Sequence, residues 1–147
     1  MNFIGFLEIK SPDHKGRTLQ DIWAFSDTQI EYTHDFIQLI FPLSKPSNNN
    51  FNGLYLTNAL VIRRIQTSDD ARRNLIKSSE WFLSFLSRND HWKDKYNHNQ
   101  LRITRMIESL RLLTSDDQAD HCREAVFRMI PTKHSINEKT LLFWENA

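Results

Sequence analysis

Glu31, His34, Asp35 and Gln38 fall on one narrow arc of a helical wheel, and groups of these types can hold a metal, move a proton or grip a ligand. The stretch around them, Glu31-Tyr32-Thr33-His34-Asp35-Phe36-Ile37-Gln38-Leu39-Ile40-Phe41-Pro42-Leu43, is apolar on its other faces. At about 100° per residue, Ile30, Thr33, Ile37, Ile40 and Phe41 make one side, while Tyr32, Phe36 and Leu39 cover much of the other. A helix buried over so much of its circumference needs a complement for its polar stripe, either inside the fold or in a ligand. A complement exists in the segment 97–113, where His98, Arg102, Arg105 and Ser109 lie at i, i+4, i+7 and i+11 beside a core face of Ile103, Met106, Ile107, Leu110 and Leu113. Opposite charge at similar spacing predicts bidentate pairs between Arg102 and Arg105 and the carboxylates of Glu31 and Asp35. Two readings stay open. The network fixes how two helices pack, or it lines a cleft for a short peptide or a small anionic or zwitterionic ligand.

Other chemistries are weaker. Glu31-x-x-His34 has the spacing of one half of a carboxylate-bridged di-iron site, but no second half follows. His98 would give a third ligand, yet Arg102 and Arg105 beside it oppose a bound cation, so no metal and no cofactor is expected. Glycines at 5, 16 and 53 cannot build a phosphate loop, and no nucleophile elbow is present. The remaining enzymatic option is a hydrolase with Glu31 or His34 as base and Arg102 and Arg105 stabilising an anion; the reading leans to a non-enzymatic domain. A formal charge of +1 supplies no field for nucleic acid, and Asp69, Asp70 and Glu80 interrupt the basic pairs Arg63-Arg64 and Arg72-Arg73. Trp23, Trp81, Trp92 and Trp144 read as fold anchors, with Trp23, Phe36 and Trp92 as candidates to line a groove.

The elements that would position these groups are helical. Few glycines and prolines and a 3.6-residue apolar period predict an all-α, single-domain bundle of about seven helices over 1–147, with a short extended N-terminal arm from Phe3 to Ile9. A first helix covers Thr18 to Phe25. Ser26 and Gln29 have capping-box spacing for the helix of the polar stripe, which Pro42 stops. A loop spans Ser44 to Gly53, and helices follow over Leu56 to Ile65, from the caps Ser68 to Asp70 to about Ser87, over 97–113, and from Ser115 or Asp116 to Ile130. Ser135 and Glu138 suggest a second capping box for a C-terminal helix over 135–146. The helix running to about Ser87 is expected to turn Ala71, Leu75, Phe82 and Leu86 to the core. The lone Cys122 reads as an ordinary thiol in a reducing compartment, and no apolar run has the length of a membrane span, so a soluble, cytoplasmic protein is expected.

At the same two segments the chain resembles the conserved N-terminal domain of the opioid growth factor receptor family. The resemblance rests on Asp13 and Gly16-Arg17-Thr18-Leu19 before Trp23, on Ile30-Glu31, His34-Asp35-Phe36-Ile37-Gln38 and Phe41-Pro42-Leu43, then on Ser47 and Asn50. It resumes at Asn97-His98-Asn99, Leu101-Arg102-Ile103-Thr104-Arg105 and Ser109-Leu110, and spans about residues 4 to 130. Leu39 stands where the family pattern has an aromatic residue, and Gly53-Leu54 where it has an Ala-Pro pair. The resemblance implies a helical domain of a family named for binding a short enkephalin peptide at the nuclear envelope; the nuclear targeting is not expected to carry over. A peptide of that kind would require an acid for its amine, Glu31 or Asp35, an aromatic wall, Trp23 or Phe36, and a cation for its carboxylate, Arg102 or Arg105. A protein partner is the other expectation.

Overall fold

Side-chain oxygens of Asn, Ser and Thr cap the first turn of eight of the nine α-helices found among the described residues, satisfying amide donors that a helix start leaves without partners. The protein is seen here in a computed structural model that describes residues 1–46 and 54–147. The helices are α1 (Phe3–Leu7), α2 (Leu19–Trp23), α3 (Asp27–Tyr32), α4 (Ile37–Ile40), α5 (Ala59–Gln66), α6 (Asp69–Arg88), α7 (His98–Leu113), α8 (Asp116–Arg128) and α9 (Glu138–Asn146), with a 3-10 turn at His91–Lys93. Five of them have seven residues or more, and no strand occurs among the described residues. The expected all-α fold is therefore observed, with shorter helices at its N-terminal end than the apolar period suggests.

Helix α7 is the hub, touching α5, α6, α8, α9 and the 3-10 turn. Its predicted core face is enclosed: Ile103, Met106, Ile107, Leu110 and Leu113 are all buried. So are Ala71, Leu75, Phe82 and Leu86 of α6. Between these two long helices lies an aromatic layer in which Phe82 stacks on Phe85 at 5.6 Å and meets Phe41 at 6.4 Å, while Phe36 is edge-on to Phe25 at 5.5 Å. Side chains from α5 and α6 close the far end of α7: Gln66 Nε2 donates to the Leu112 carbonyl at 2.8 Å and Arg72 to the Thr114 carbonyl at 3.3 Å.

Three sequence expectations are corrected. Phe3 to Ile9 is not an extended arm: Asn2 caps α1 by accepting the Gly5 amide at 3.0 Å, and Phe3, Phe6 and Leu7 bury against the core. The helix ends in a Schellman motif, with Lys10 N donating to the Gly5 carbonyl at 2.7 Å and Ile9 N to the Phe6 carbonyl at 3.1 Å. That motif places Ile9 at φ 58, a left-handed conformation that a β-branched residue adopts only when packing holds it. Gly5 leaves room there: an added Cβ would come within 2.3 Å of Ser11 Oγ, so the Ser11 and Asn2 side chains would have to shift. The second correction concerns α9: its cap is Asn137, accepting the Lys139 amide at 2.8 Å, so Ser135 and Glu138 form no capping box. The third is the polar-stripe helix, which is two short helices with a break between them. Its Ser26 and Gln29 capping box is present as expected. Of the expected loop from Ser44 to Gly53, residues 47–53 lie outside the described residues.

Candidate functional site

The break in the stripe is where the site is built. After α3, Thr33 is extended (φ −95, ψ 123), and α4 resumes only at Ile37, without a side-chain cap. In a continuous helix the carbonyls of Ile30 and Thr33 would accept from amides four residues on. Instead both accept from one guanidinium: Arg102 Nη1 donates to Ile30 O at 2.7 Å and Nη2 to Thr33 O at 2.8 Å. The same Nη1 reaches Asn99 Oδ1 at 3.2 Å, and the guanidinium lies 5.3 Å from the Phe36 ring centre. Arg102 is only 5 % exposed, and burial pulls its pKa down to about 10, with the Glu31 charge opposing. It remains a cation at neutral pH.

The rest of the α7 line follows the same pattern. Arg105 Nη1 donates to Phe41 O at 3.3 Å, and Ser109 Oγ donates to Pro42 O at 2.8 Å. Burial also lowers the pKa of Arg105, against the neighbouring Glu108. The two stripes therefore meet, as their spacing predicts, but through backbone carbonyls. The expected bidentate pairs of Arg102 and Arg105 with Glu31 and Asp35 do not form: the break turns carbonyls toward the two guanidinium groups, while Glu31 meets Asn99 and His98 of α7 and Asp35 turns to Arg17 and Lys15.

Both carboxylates find other partners. Glu31 accepts from Asn99 Nδ2 at 3.1 Å, with His98 Nε2 3.2 Å from one of its oxygens and His91 Nε2 3.3 Å from the other. Asn99 thus bridges Arg102 to Glu31. His34 is exposed, its ring edge-on to His98 with centres 5.8 Å apart. Burial, and then the Arg102 charge, push the His98 pKa below the ordinary imidazole value, while Glu31 pulls the other way. The two imidazoles take different oxygens of Glu31, and no group of three or more metal-ligating side chains converges among the described residues.

Asp35 belongs to a separate ion-pair cluster. Its Oδ1 accepts from Arg17 Nη1 at 2.9 Å, and Lys15 pairs with Oδ2, with His14 at 4.0 Å. Arg17 Nε is held in turn by Asp13 at 2.7 Å, and Asp13 Oδ1 accepts the amides of Lys15 and Arg17 across a turn that Gly16 completes at φ 78. Burial alone would raise the Asp35 pKa; hydrogen bonds from Lys15 and Arg17 and their charges reverse this and hold it below the usual carboxylate value. A carboxyl whose folded pKa is depressed contributes stability that is present above its unfolded value, 3.8, and is lost as pH falls through the folded one. Asp35→Asn is accordingly expected to cost about 2 kcal/mol at neutral pH and to flatten the stability slope below about pH 4, read by urea denaturation at several pH values. An unchanged acid slope would remove Asp35 from this role.

The other candidates lie inside the fold. Gln38 is 2 % exposed, and its Nε2 meets no acceptor among the described residues. Phe36 and Trp92 are fully enclosed, so neither lines a groove; Trp92 Nε1 donates to the Leu86 carbonyl at 2.9 Å. Trp23 is half-buried, donating to Ser78 Oγ at 2.9 Å beneath Lys77, whose Nζ is 4.5 Å from the ring centre. Cys122 is buried and its thiol pushed up to about 12 by desolvation, which leaves it unreactive near neutral pH. Sequence reasoning misses His91, Asn99 and the site role of Lys15 and Arg17. Only the last has a local signal, the turn Asp13-x-Lys15-Gly16-Arg17.

Two surface depressions of about 540 Å³, one beside the start of α6 and one beside Lys45 and Glu108, include none of the stripe residues. Among the described residues no helix is long and apolar enough to cross a membrane. In comparison with known proteins, the family model described as the opioid growth factor receptor conserved region matches residues 7–139. No curated protein and no solved structure matches the chain.

Proposed function

We propose that this chain, which belongs to the opioid growth factor receptor conserved-region family, is a non-enzymatic helical domain that recognises a short peptide or protein segment at the surface around Glu31. The observation that carries this reading is the division of labour along the stripe. Arg102, Arg105 and Ser109 spend their donors on backbone carbonyls, whereas Glu31, His91, His98 and His34 form the edge that reaches solvent. Tyr32 next to Glu31, and Leu101 one turn on from His98, are each 74 % exposed. A carboxylate and imidazoles beside an exposed aromatic and an exposed leucine suit a peptide that offers an amine and apolar side chains. Arg102 and Arg105 are then supports rather than receptors for the ligand's carboxylate. The hydrolase alternative has less behind it, since the same two arginines spend donors on backbone carbonyls. A reducing compartment such as the cytoplasm suits the enclosed lone thiol.

Calorimetric titration of the wild-type chain with enkephalin and with other short peptides tests the reading. At least one peptide is expected to bind, and Glu31→Gln to weaken it about tenfold, ~1.4 kcal/mol. No heat with any peptide would sink it, and so would equal affinity in Glu31→Gln.

A further inference from the structure

Three of the large apolar side chains left exposed among the described residues border one strip of α7. Leu101 is 74 % exposed on the strip itself, Tyr32 as much on its α3 flank, and Phe143 is 54 % exposed on its α9 flank. The strip exists because α7 is held from two sides. Arg102, Arg105 and Ser109 donate to carbonyls of Ile30, Phe41 and Pro42, while Gln100 accepts from Thr140 of α9 and Arg111 donates to the Ala147 carbonyl. At about 100° per residue, these two sets of contacts leave between them the arc that carries Leu101, Glu108 and Leu112. Phe143 is three residues from Thr140 and four from Ala147, hence on the face of α9 turned to that arc. At its far end the strip opens into the depression of about 540 Å³, with Leu43, Ser44 and Lys45 on one side, Asn146 and Ala147 on the other, and Glu108 and Leu112 in its floor.

From Leu101 to Leu112 the strip runs about 16 Å, or three helical turns. Its width is that of one absent neighbour in a helical bundle, a helix seated about 9 Å from α7. Charge divides along it. Glu31 stands at the Leu101 end, its counter-charge Arg102 turned inward to two carbonyls. At the other end Lys45 and Arg105 share the single carboxylate of Glu108, while Arg111 is taken up by Asp116 and Asp120. We propose that this strip is a docking groove for an amphipathic helix of a partner protein, antiparallel to α7. Its first turn is acidic and meets Lys45, its last turn is basic and meets Glu31, and leucine-type side chains between them pack on Leu101, Phe143 and Leu112. Acid in the first turn and base in the last also suit the partner's own macrodipole, which lies opposed to that of α7. Recognition at the Glu31 end rests on the peptide reading above; docking along α7 stands or falls separately, at Leu101 and Phe143.

The probe is a stapled synthetic helix of about sixteen residues, with glutamates in its first turn, leucines at i, i+4, i+7 and i+11, and lysines in its last turn. Titrated into the whole isotope-labelled chain, it is expected to bind with a Kd of about 10 μM and to shift amides along 101–112 and 139–147. Leu101→Ala and Phe143→Ala lie outside the core, so both should fold normally and weaken the helix about tenfold. A helix with lysines first and glutamates last should bind about tenfold more weakly than the probe. No binding, equal affinity of the charge-reversed helix, undiminished affinity in both variants, or shifts confined to residues around Glu31 would each overturn the groove. Self-association of the chain that Leu101→Ala abolishes would overturn it in favour of a second copy. Short peptides read Glu31 alone, so a helix that fails where they bind leaves the peptide reading standing, and a helix that binds where they fail leaves the groove standing.

Discussion

Arg102→Met is expected to lower folding stability by about 3 kcal/mol, seen as a melting midpoint lower by roughly 6–12 °C for a chain of this size. The substitution keeps the length and apolar stem of the side chain, so little packing is lost. Two buried carbonyls, Ile30 O and Thr33 O, lose donors at 2.7 and 2.8 Å, and Glu31 loses its nearest fixed counter-charge. Each orphaned acceptor costs about 1–3 kcal/mol, and relief from burying the guanidinium offsets part of the sum. Arg105→Met is the control. It removes one bond of 3.3 Å and is expected to cost about 1 kcal/mol. If both variants melt together, Arg102 does not hold the break in the stripe.

Trp144→Ala should cost more, about 4 kcal/mol by chemical denaturation. The side chain is fully enclosed, with rings of Trp92 and Phe127 at 6.3 and 6.2 Å, and its Nε1 donates to the Gln100 carbonyl at 3.1 Å. Gln100 in turn donates from its side-chain Nε2 to the carbonyls of Trp92 and Asp94 at 3.0 and 2.7 Å. Trp144 therefore fastens α9 to α7 and, through Gln100, to the 3-10 turn that delivers His91. Phe143 beside it is 54 % exposed, and its truncation to alanine should be nearly neutral. A Trp144→Ala loss below about 1.5 kcal/mol would show α9 to be a loosely attached appendage.

Local signals account for what was readable from the sequence. The caps Ser26, Ser68 and Ser115 act through side chains three residues from the amides they satisfy, so a short window contains the whole interaction. The apolar period of α6 and α7 likewise needs no knowledge of the partner face. Residues 31–43 defeat the same method. Asp35 to Leu43 are buried on every side, so their pattern carries no face, and the carbonyls that interrupt the helix answer to a guanidinium seventy residues on. Charge and spacing point the polar line of α7 at that segment and favour carboxylates, whereas Arg102 and Arg105 take carbonyls. Which acceptor a guanidinium takes depends on backbone direction, and that is set only in the folded chain. His91 had no signal at all, because a histidine in a short polar turn is ordinary until Glu31 is brought to it.

Because one arginine stands in for two hydrogen bonds of a continuous helix, the segment from Ile30 to Phe41 cannot acquire its native backbone by itself. The closing contact joins residues 72 apart in sequence, and the entropy of that loop must be met before the contact can repay it. The expected order of assembly has α6, α7 and α8, rich in local contacts, forming a surface first and the interrupted stripe packing onto α7 last. Until then, an apolar stretch with strong helical character is free to form the wrong, uninterrupted helix.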